Sequence, residues 1–263
     1  MTYPIVLLLC LSPLLSFITR AEHIATLTFC YEDKQLLPYY TGEGHTAPYL
    51  PGVTIEHLHA SAAAAGNIKL AFVRFPWRRC LQKLEQNEVD ALVATYLPQR
   101  SDFAVYPTTA DGNPDRNRAM SSHATCLVHR ADNNIEDKIT RQHGSLVVSR
   151  PLGYSNPDYP AGISVVPVHS QQQALDLVLS GRVDATTTLC KVNDVAGADR
   201  LSQRKPLVVV YPPLYETTGY LVFSKAFYQR HPALAEQLWQ VLGSTIQPQR
   251  YYDYLHYPDM AAQ

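Results

Sequence analysis

Two acids in this chain stand in near-identical settings. Leu84-Glu-Gln-Asn-Glu-Val-Asp90-Ala91 lies in the first half and Val178-Leu-Ser-Gly-Arg-Val-Asp184-Ala185 in the second. Paired carboxylates are the usual material of acid–base catalysis, where one group gives a proton and another takes it. Here each acid sits at a turn between the end of an amphipathic helix and the start of a strand. That setting reads as turn construction, one acid per half, and the echo implies two α/β units of related plan. Other catalytic constellations are absent: there is no Gly-x-Ser-x-Gly elbow, phosphate loop or dinucleotide fingerprint. His57 and His59 fall on a predicted helix, where residues two apart diverge, so they do not form a metal pair. No Cys-x-x-Cys occurs. No metal and no cofactor are expected. What remains is recognition chemistry: guanidinium forks, hydroxyls and 17 Tyr, whose rings offer a flat apolar face and a polar tip.

The elements that must position these groups follow from pattern. Leu27 to Tyr31 reads as a buried strand, and 32–51 as a loop rich in Pro, Gly and Tyr. A helix is predicted from Gly52 to Gly66, a strand from Lys69 to Phe75, a helix from Pro76 to Gln86 and a strand from Val89 to Thr95. This β-α-β-α-β order implies parallel pairing with right-handed crossovers. Asp111 to Met120 is polar and reads as a linker. Strands are then predicted at Ala124–His129, Leu146–Ser149, Ile163–Val168 and Val183–Leu189, with a helix at Gln171–Leu179. Leu207–Tyr211 starts a return crossing, Leu221–Ser224 is a further strand, and a helix runs from His231-Pro232 to about Leu242. The tail Tyr251–Tyr257 shows no clear period.

Composition narrows the class. The chain has 263 residues, 46% hydrophobic and 17% charged, enough for a sizeable core in two lobes. A net charge of −1 gives no field for nucleic acid or acidic lipid. The apolar run Ile5–Leu15, followed by Thr19-Arg20-Ala21, reads as a cleaved signal peptide over residues 1–21. It is shorter than the roughly 20 apolar residues a membrane span needs. Without Cys10 the chain keeps Cys30, Cys80, Cys126 and Cys190, an even number that suits an oxidising compartment.

In order and spacing, several segments resemble the bacterial extracellular solute-binding proteins of family 3, the binding components of amino-acid ABC transporters. They are Pro51-Gly-Val-Thr-Ile-Glu56, Phe75-Pro-Trp-Arg-Arg-Cys80, Asn87-Glu-Val-Asp90-Ala91, Pro98-Gln-Arg100 with Phe103 and Tyr106-Pro107, and Gly181-Arg-Val-Asp184-Ala185. The resemblance spans nearly all of the mature chain. It implies an α/β protein of two Rossmann-like lobes with mostly parallel sheets, joined by a two-crossing hinge, the type II periplasmic binding fold. Lobe 1 would take 22–112 and the return segment 215–263, and lobe 2 would take 113–214. It further implies a monomeric periplasmic protein that captures a small solute and hands it to an inner-membrane ABC permease. The alternatives are a sensory or accessory binding protein without a permease, and a small-molecule dehydratase with Glu32 as its acid.

In the family pattern Arg100 clamps a ligand carboxylate, although the stretch from Asp90 to Arg100 is about two residues short of that pattern. Open α/β sheets bind ligands beyond the carboxyl ends of their strands. That rule selects Tyr31, Glu32, Trp77, Thr95 and Tyr96 in lobe 1 and Gly153, Tyr154 and Ser155 in lobe 2. Tyr39, Tyr40 and Tyr49 lie in the loop the family uses to cover its ligand. The family also places an acid after the Val-Asp-Ala strand to pair a ligand ammonium, where this chain reads Thr186-Thr-Thr188-Leu-Cys-Lys191. An unpaired desolvated ammonium is costly, so the threonines, Thr188 among them, favour a neutral polar group unless Glu32, Asp33 or Glu216 substitutes. Cys30 ends one strand and Cys80 opens the helix after its neighbour, so a Cys30–Cys80 disulfide is expected. Cys126–Cys190 is expected from two strands of lobe 2.

Overall fold

The computed structural model describes residues 24–257 apart from 67, 141–144, 152–158, 160 and 198–204. The predicted signal segment lies outside the described residues.

β1 (Ala25–Glu32) alternates strictly: Leu27, Phe29 and Tyr31 bury one face and Cys30 the other. The chain then loops to Gly52, which has φ 107°, and a Cβ there would lie 2.2 Å from the Tyr39 carbonyl oxygen. Only glycine fits that close approach. It opens α1 (Val53–Ala65), which buries Val53, Ile55, Leu58 and Ala62. β2 (Ile68–Phe75) lies parallel to β1 along its whole length. α2 (Trp77–Glu85) starts after Pro76 and buries Cys80 and Leu84, one helical turn apart. β3 (Ala91–Thr95) completes the first parallel group and the short β4 (Ala104–Val105) follows.

The second group repeats the plan. β5 (Ser121–Arg130) leads through α3 (Ile135–Thr140) to β6 (Leu146–Pro151), which is parallel to β7 (Ile163–Val168). α4 (Gln171–Leu179) is capped by the Ser170 hydroxyl, which accepts the Gln173 N–H at 3.1 Å. β8 (Ala185–Val192) is parallel to β6, and β9 (Val195–Ala196) turns back on it.

β10 (Leu207–Ser224) is one 18-residue strand where the sequence suggested two. The gap expected between them is a register shift spanning Val210 to Tyr215, over Pro212 and Pro213, which have no N–H to donate to a ladder. The chain ends in α5 (Lys225–Arg230), α6 (Pro232–Thr245) and α7 (Pro248–His256). The sequence reading left α7 without a structure. Its buried Tyr251, Tyr254 and Leu255 nonetheless have helical spacing, and Pro248 occupies the first helical turn.

Strand order is β2-β1-β3-β10-β5-β8-β6-β7. Two parallel groups are therefore joined through two long antiparallel strands, β10 and β5. This is the mixed α/β plan of the type II periplasmic binding fold. The larger core lies between β1, β3, β10 and the helices α1 and α6, where Phe29, Phe223, Phe227 and Trp239 pack. The Trp239 indole N–H donates to the Leu221 carbonyl at 2.7 Å, so its one polar group is satisfied inside. A smaller core of Leu127, Ile135, Leu146, Val148 and Ala185 serves the second group. Disulfides join Cys30 to Cys80 and Cys126 to Cys190, both as expected.

Candidate functional site

Asp90 and Asp184 are the turn residues their setting implied. Each aligns its helix-to-strand turn on the neighbouring strand with two bonds. The Asp90 N–H donates to the Thr28 carbonyl at 2.9 Å while its carboxylate accepts the Thr28 N–H at 2.9 Å. Asp184 does the same with Val147, at 2.9 Å in both directions. One oxygen of each carboxylate is thereby committed to backbone, while the other meets a cation, Arg230 at Asp90 and Lys138 at Asp184.

The carboxyl end of β3 gathers several of the residues expected in the site. Arg100 sits in a short 3₁₀ turn, Pro98–Asp102, directly beyond Thr95 and Tyr96. Its Nη1 donates to the Thr95 carbonyl at 2.8 Å. The Tyr106 hydroxyl donates to the same carbonyl at 3.1 Å and also bonds the Arg100 side chain. Burial pushes the Tyr106 phenol up to about 12, with the nearby Arg100 opposing, so it stays a neutral donor. The guanidinium lies over the Trp77 ring at 5.8 Å. Tyr96 meets Tyr106 edge-on at 5.2 Å. Arg100, Trp77, Thr95 and Tyr96 are thus brought together, with Tyr106 as a member that sequence reasoning quoted only as part of a motif.

The other expected residues divide. Tyr31 and Tyr40 are core residues, with ring centroids 5.0 Å apart, packed with Phe29 and Phe72 on the face of β1 opposite Cys30. Tyr31 shares the parity of Leu27 and Phe29, and parity decides which face a strand residue occupies. Glu32 ends β1, and its backbone carbonyl accepts two bonds from the buried Arg74, each 3.3 Å long. Arg74 also donates to the carbonyls of Thr46 and Gly42, each at 2.9 Å, and so fixes the long loop after β1. Tyr49 is exposed on that loop. Tyr39 points elsewhere, toward the His123 ring at 5.9 Å, and packs against Val53, Val192 and Tyr251. Thr188 is buried on β8 opposite Cys126. Gly153, Tyr154 and Ser155 lie outside the described residues.

In the second group, Thr186 donates its hydroxyl to the Ser149 carbonyl at 2.8 Å. Leu189 packs against the Tyr251 and Tyr254 cluster. Lys191 pairs with Asp194 at 2.9 Å on the surface. A concavity of about 280 Å³ lies against the start of β5 and the middle of β10, lined by Arg116, Ser122, His123, Lys191, Glu216 and Thr218 among others. Glu216, one of the acids offered as a substitute ammonium partner, is in its wall. Burial pushes the His123 imidazole down to about 4. Among the described residues no cluster of three or more His, Cys, Asp or Glu could hold a metal.

No family model and no curated protein matches the sequence. Solved structures do match in fold. The L-cystine solute receptor of Neisseria gonorrhoeae, in an unliganded open conformation, aligns at TM-score 0.54 and 17% identity, over 92% of this chain and 97% of that one. Substrate-binding domain 2 of GlnP from Lactococcus lactis, also open, aligns at 0.56 and 12% identity, over 88% and 93%. The ancestral amino-acid-binding protein AncCDT-1, a precursor of cyclohexadienyl dehydratase, aligns at 0.57 and 16% identity, over 88% and 95%. The chain shares the fold of these substrate-binding proteins over most of its length and nearly all of theirs.

Proposed function

We propose that this protein is an exported solute-binding protein that captures a small polar, carboxylate-bearing solute between two lobes and does no chemistry on it. The lobes are residues 22–112 with 215–263, and residues 113–214; β5 and β10 are the crossings about which they close. The protein acts as a monomer in the periplasm, after loss of residues 1–21, and presents its solute to an inner-membrane ABC permease.

The observation that carries this reading is the setting of Arg100. Thr95, Tyr106 and Trp77 hold its guanidinium at the carboxyl end of a parallel strand, where open α/β sheets bind their ligands. Anchoring fixes the plane of the fork before a carboxylate arrives, so less side-chain freedom is lost on binding. Trp77 and Tyr96 add flat apolar surface beside the charge. In the second group the stretch 186–191 carries no carboxylate and its threonines are buried, so an ammonium on the solute would have to be met by Glu216 in the wall of the concavity; a solute without an ammonium is favoured. Contacts made with both lobes only when closed would shift the open–closed equilibrium toward the closed form.

A thermal-shift screen across α-amino acids, hydroxy acids, aromatic acids and sugars tests the reading. A carboxylate at 100 times its dissociation constant stabilises by about 2.7 kcal/mol, and sugars leave the midpoint unmoved. Arg100→Ala then weakens that carboxylate by roughly 2–3 kcal/mol, because truncation also leaves the solute's charge unpaired. Unchanged affinity in calorimetry removes Arg100 from the site.

A further inference from the structure

The C-terminal helix α7 touches both parallel groups, and its two contact faces are built differently. Toward α1 the bonds are charge-assisted and complete. Arg250 donates from Nε and Nη2 to the two oxygens of Glu56 at 2.8 and 2.7 Å, and the Tyr254 hydroxyl donates to the same carboxylate. Burial opposes ionisation of Glu56, yet these bonds hold its carboxyl below the ordinary value.

Toward β8 and β9 the contact is apolar and its polar atoms are poorly served. Tyr251, Tyr254 and Leu255 are buried with Val192, and Leu189 packs beside them. A Cβ added to Gly197, just past β9, would stand 3.1 Å from Nε2 of His256 and 3.4 Å from Cδ1 of Leu255, so the helix lies directly on this backbone. Among the described residues, His256 Nε2, His123 Nδ1 and the Tyr39 hydroxyl are buried at this junction without hydrogen-bond partners, and the Tyr251 hydroxyl and the Asn193 amide meet there only loosely. Buried polar atoms without partners are restored by water when a contact opens.

We infer that α7 is a strap: it stays fixed to α1 and releases β8 and β9 when the two groups part, so the strength of that one face sets how much of the solute-free protein is open. This rests on the closure reading above. Its test needs no solute. Spin labels attached through azido residues introduced at the exposed positions Lys69 and Gln172 report the separation of the two groups in the full chain. Gly197→Val places bulk where Leu255 and His256 sit and leaves the Glu56 anchor intact. The strap predicts a longer and broader distance distribution in Gly197→Val with a melting midpoint close to that of the parent. Arg250→Ala, which frees the anchored end, gives the same opening with a lower midpoint. A distribution unmoved in both folded variants overturns the strap. Should Gly197→Val fail to fold, His256→Ala and Arg250→Ala decide in the same way. Because the distances are read without solute, a failed solute screen leaves this result standing. A solute found with labels unmoved in the variants sinks the strap alone.

Discussion

The two parallel groups of strands use one device and differ in what surrounds it. In the first, Asp90 ties its turn to Thr28 of β1; in the second, Asp184 ties its turn to Val147 of β6, with matching bonds. The first group carries a large aromatic core with Trp239, Phe223 and Phe227, while the second has a small aliphatic one. The first also ends in the Arg100 cluster, and the second ends in buried threonines and Leu189. The turn device is repeated while its surroundings diverge, and under the proposed solute-binding reading the two groups would meet different parts of one solute.

Disulfide removal gives the largest test of that equivalence. The Cys30–Cys80 bridge closes a separation of 50 residues and the Cys126–Cys190 bridge one of 64. Loop entropy depends only weakly on length, so each bridge contributes about 4 kcal/mol. Double Cys→Ala replacement of either pair should therefore lower unfolding free energy in urea by nearly the same amount. A clearly larger loss for the Cys126–Cys190 pair would show that the second group depends on its bridge more than the first does.

Next in size is a pH effect at the joint between the groups. His123 lies on β5, paired with Val192 of β8 and Thr217 of β10. Burial lowers its folded value to about 4, against about 6.5 unfolded, so the unfolded chain binds more protons between those values. Stability is fully present above about pH 6.5 and falls as pH drops toward 4, by roughly 3 kcal/mol. Buried His57 is shifted in the same direction and adds to the slope. His123→Gln should flatten the part of that slope that belongs to the joint. An identical pH dependence of the unfolding midpoint in the variant would refute burial of this imidazole.

Much of the frame was legible in the sequence because its periods are strong. The predicted Ile163–Val168 strand and Gln171–Leu179 helix match β7 and α4 end to end. The Val-Asp-Ala echo located both turns, and positions on strands, with Cys80 at the start of a helix, located both disulfides. The site was less legible, for a physical reason. Strand-end position says that a residue is near a cleft, but parity says which way it faces, and Tyr31 shares its parity with Leu27 and Phe29. Tyr39 and Tyr40 were equivalent in the sequence, yet one joins the core and the other turns toward His123 and α7. The helix itself was masked by tyrosines, whose amphipathic character blurs a buried stripe at 251, 254 and 255.

Removing the acids themselves compares the device directly. Asp90→Ala and Asp184→Ala each leave one backbone N–H, of Thr28 or Val147, without its acceptor. The cost of such a loss is about 2 kcal/mol. At Asp184, although burial opposes it, bonds from Lys138 and the Val147 N–H hold the carboxyl below the ordinary range. Its contribution is present above the unfolded value near 4 and is lost as pH falls through the lower folded one. Equal losses for the two variants at pH 7 are expected in chemical denaturation, and a gap above about 1 kcal/mol would break the equivalence.

The smallest effects separate the ladder from the charges around it. Asp184 pairs with Lys138 and Asp90 pairs with Arg230 at 3.3 Å, and these cations are 42% and 60% exposed. Exposed ion pairs are worth about 0–1 kcal/mol, because water screens them and long side chains lose freedom in forming them. Lys138→Ala should cost about 0.5 kcal/mol and Arg230→Ala less, both falling further at 1 M salt, where the screening length is about 3 Å. Equally small losses would mean that the two carboxylates are held by backbone alone, which is the part the two groups share. A loss at Lys138 as large as that of Asp184→Ala would mean instead that the second turn is built as an ion pair. The likeness of the two acids in sequence would then conceal two different ways of closing a turn.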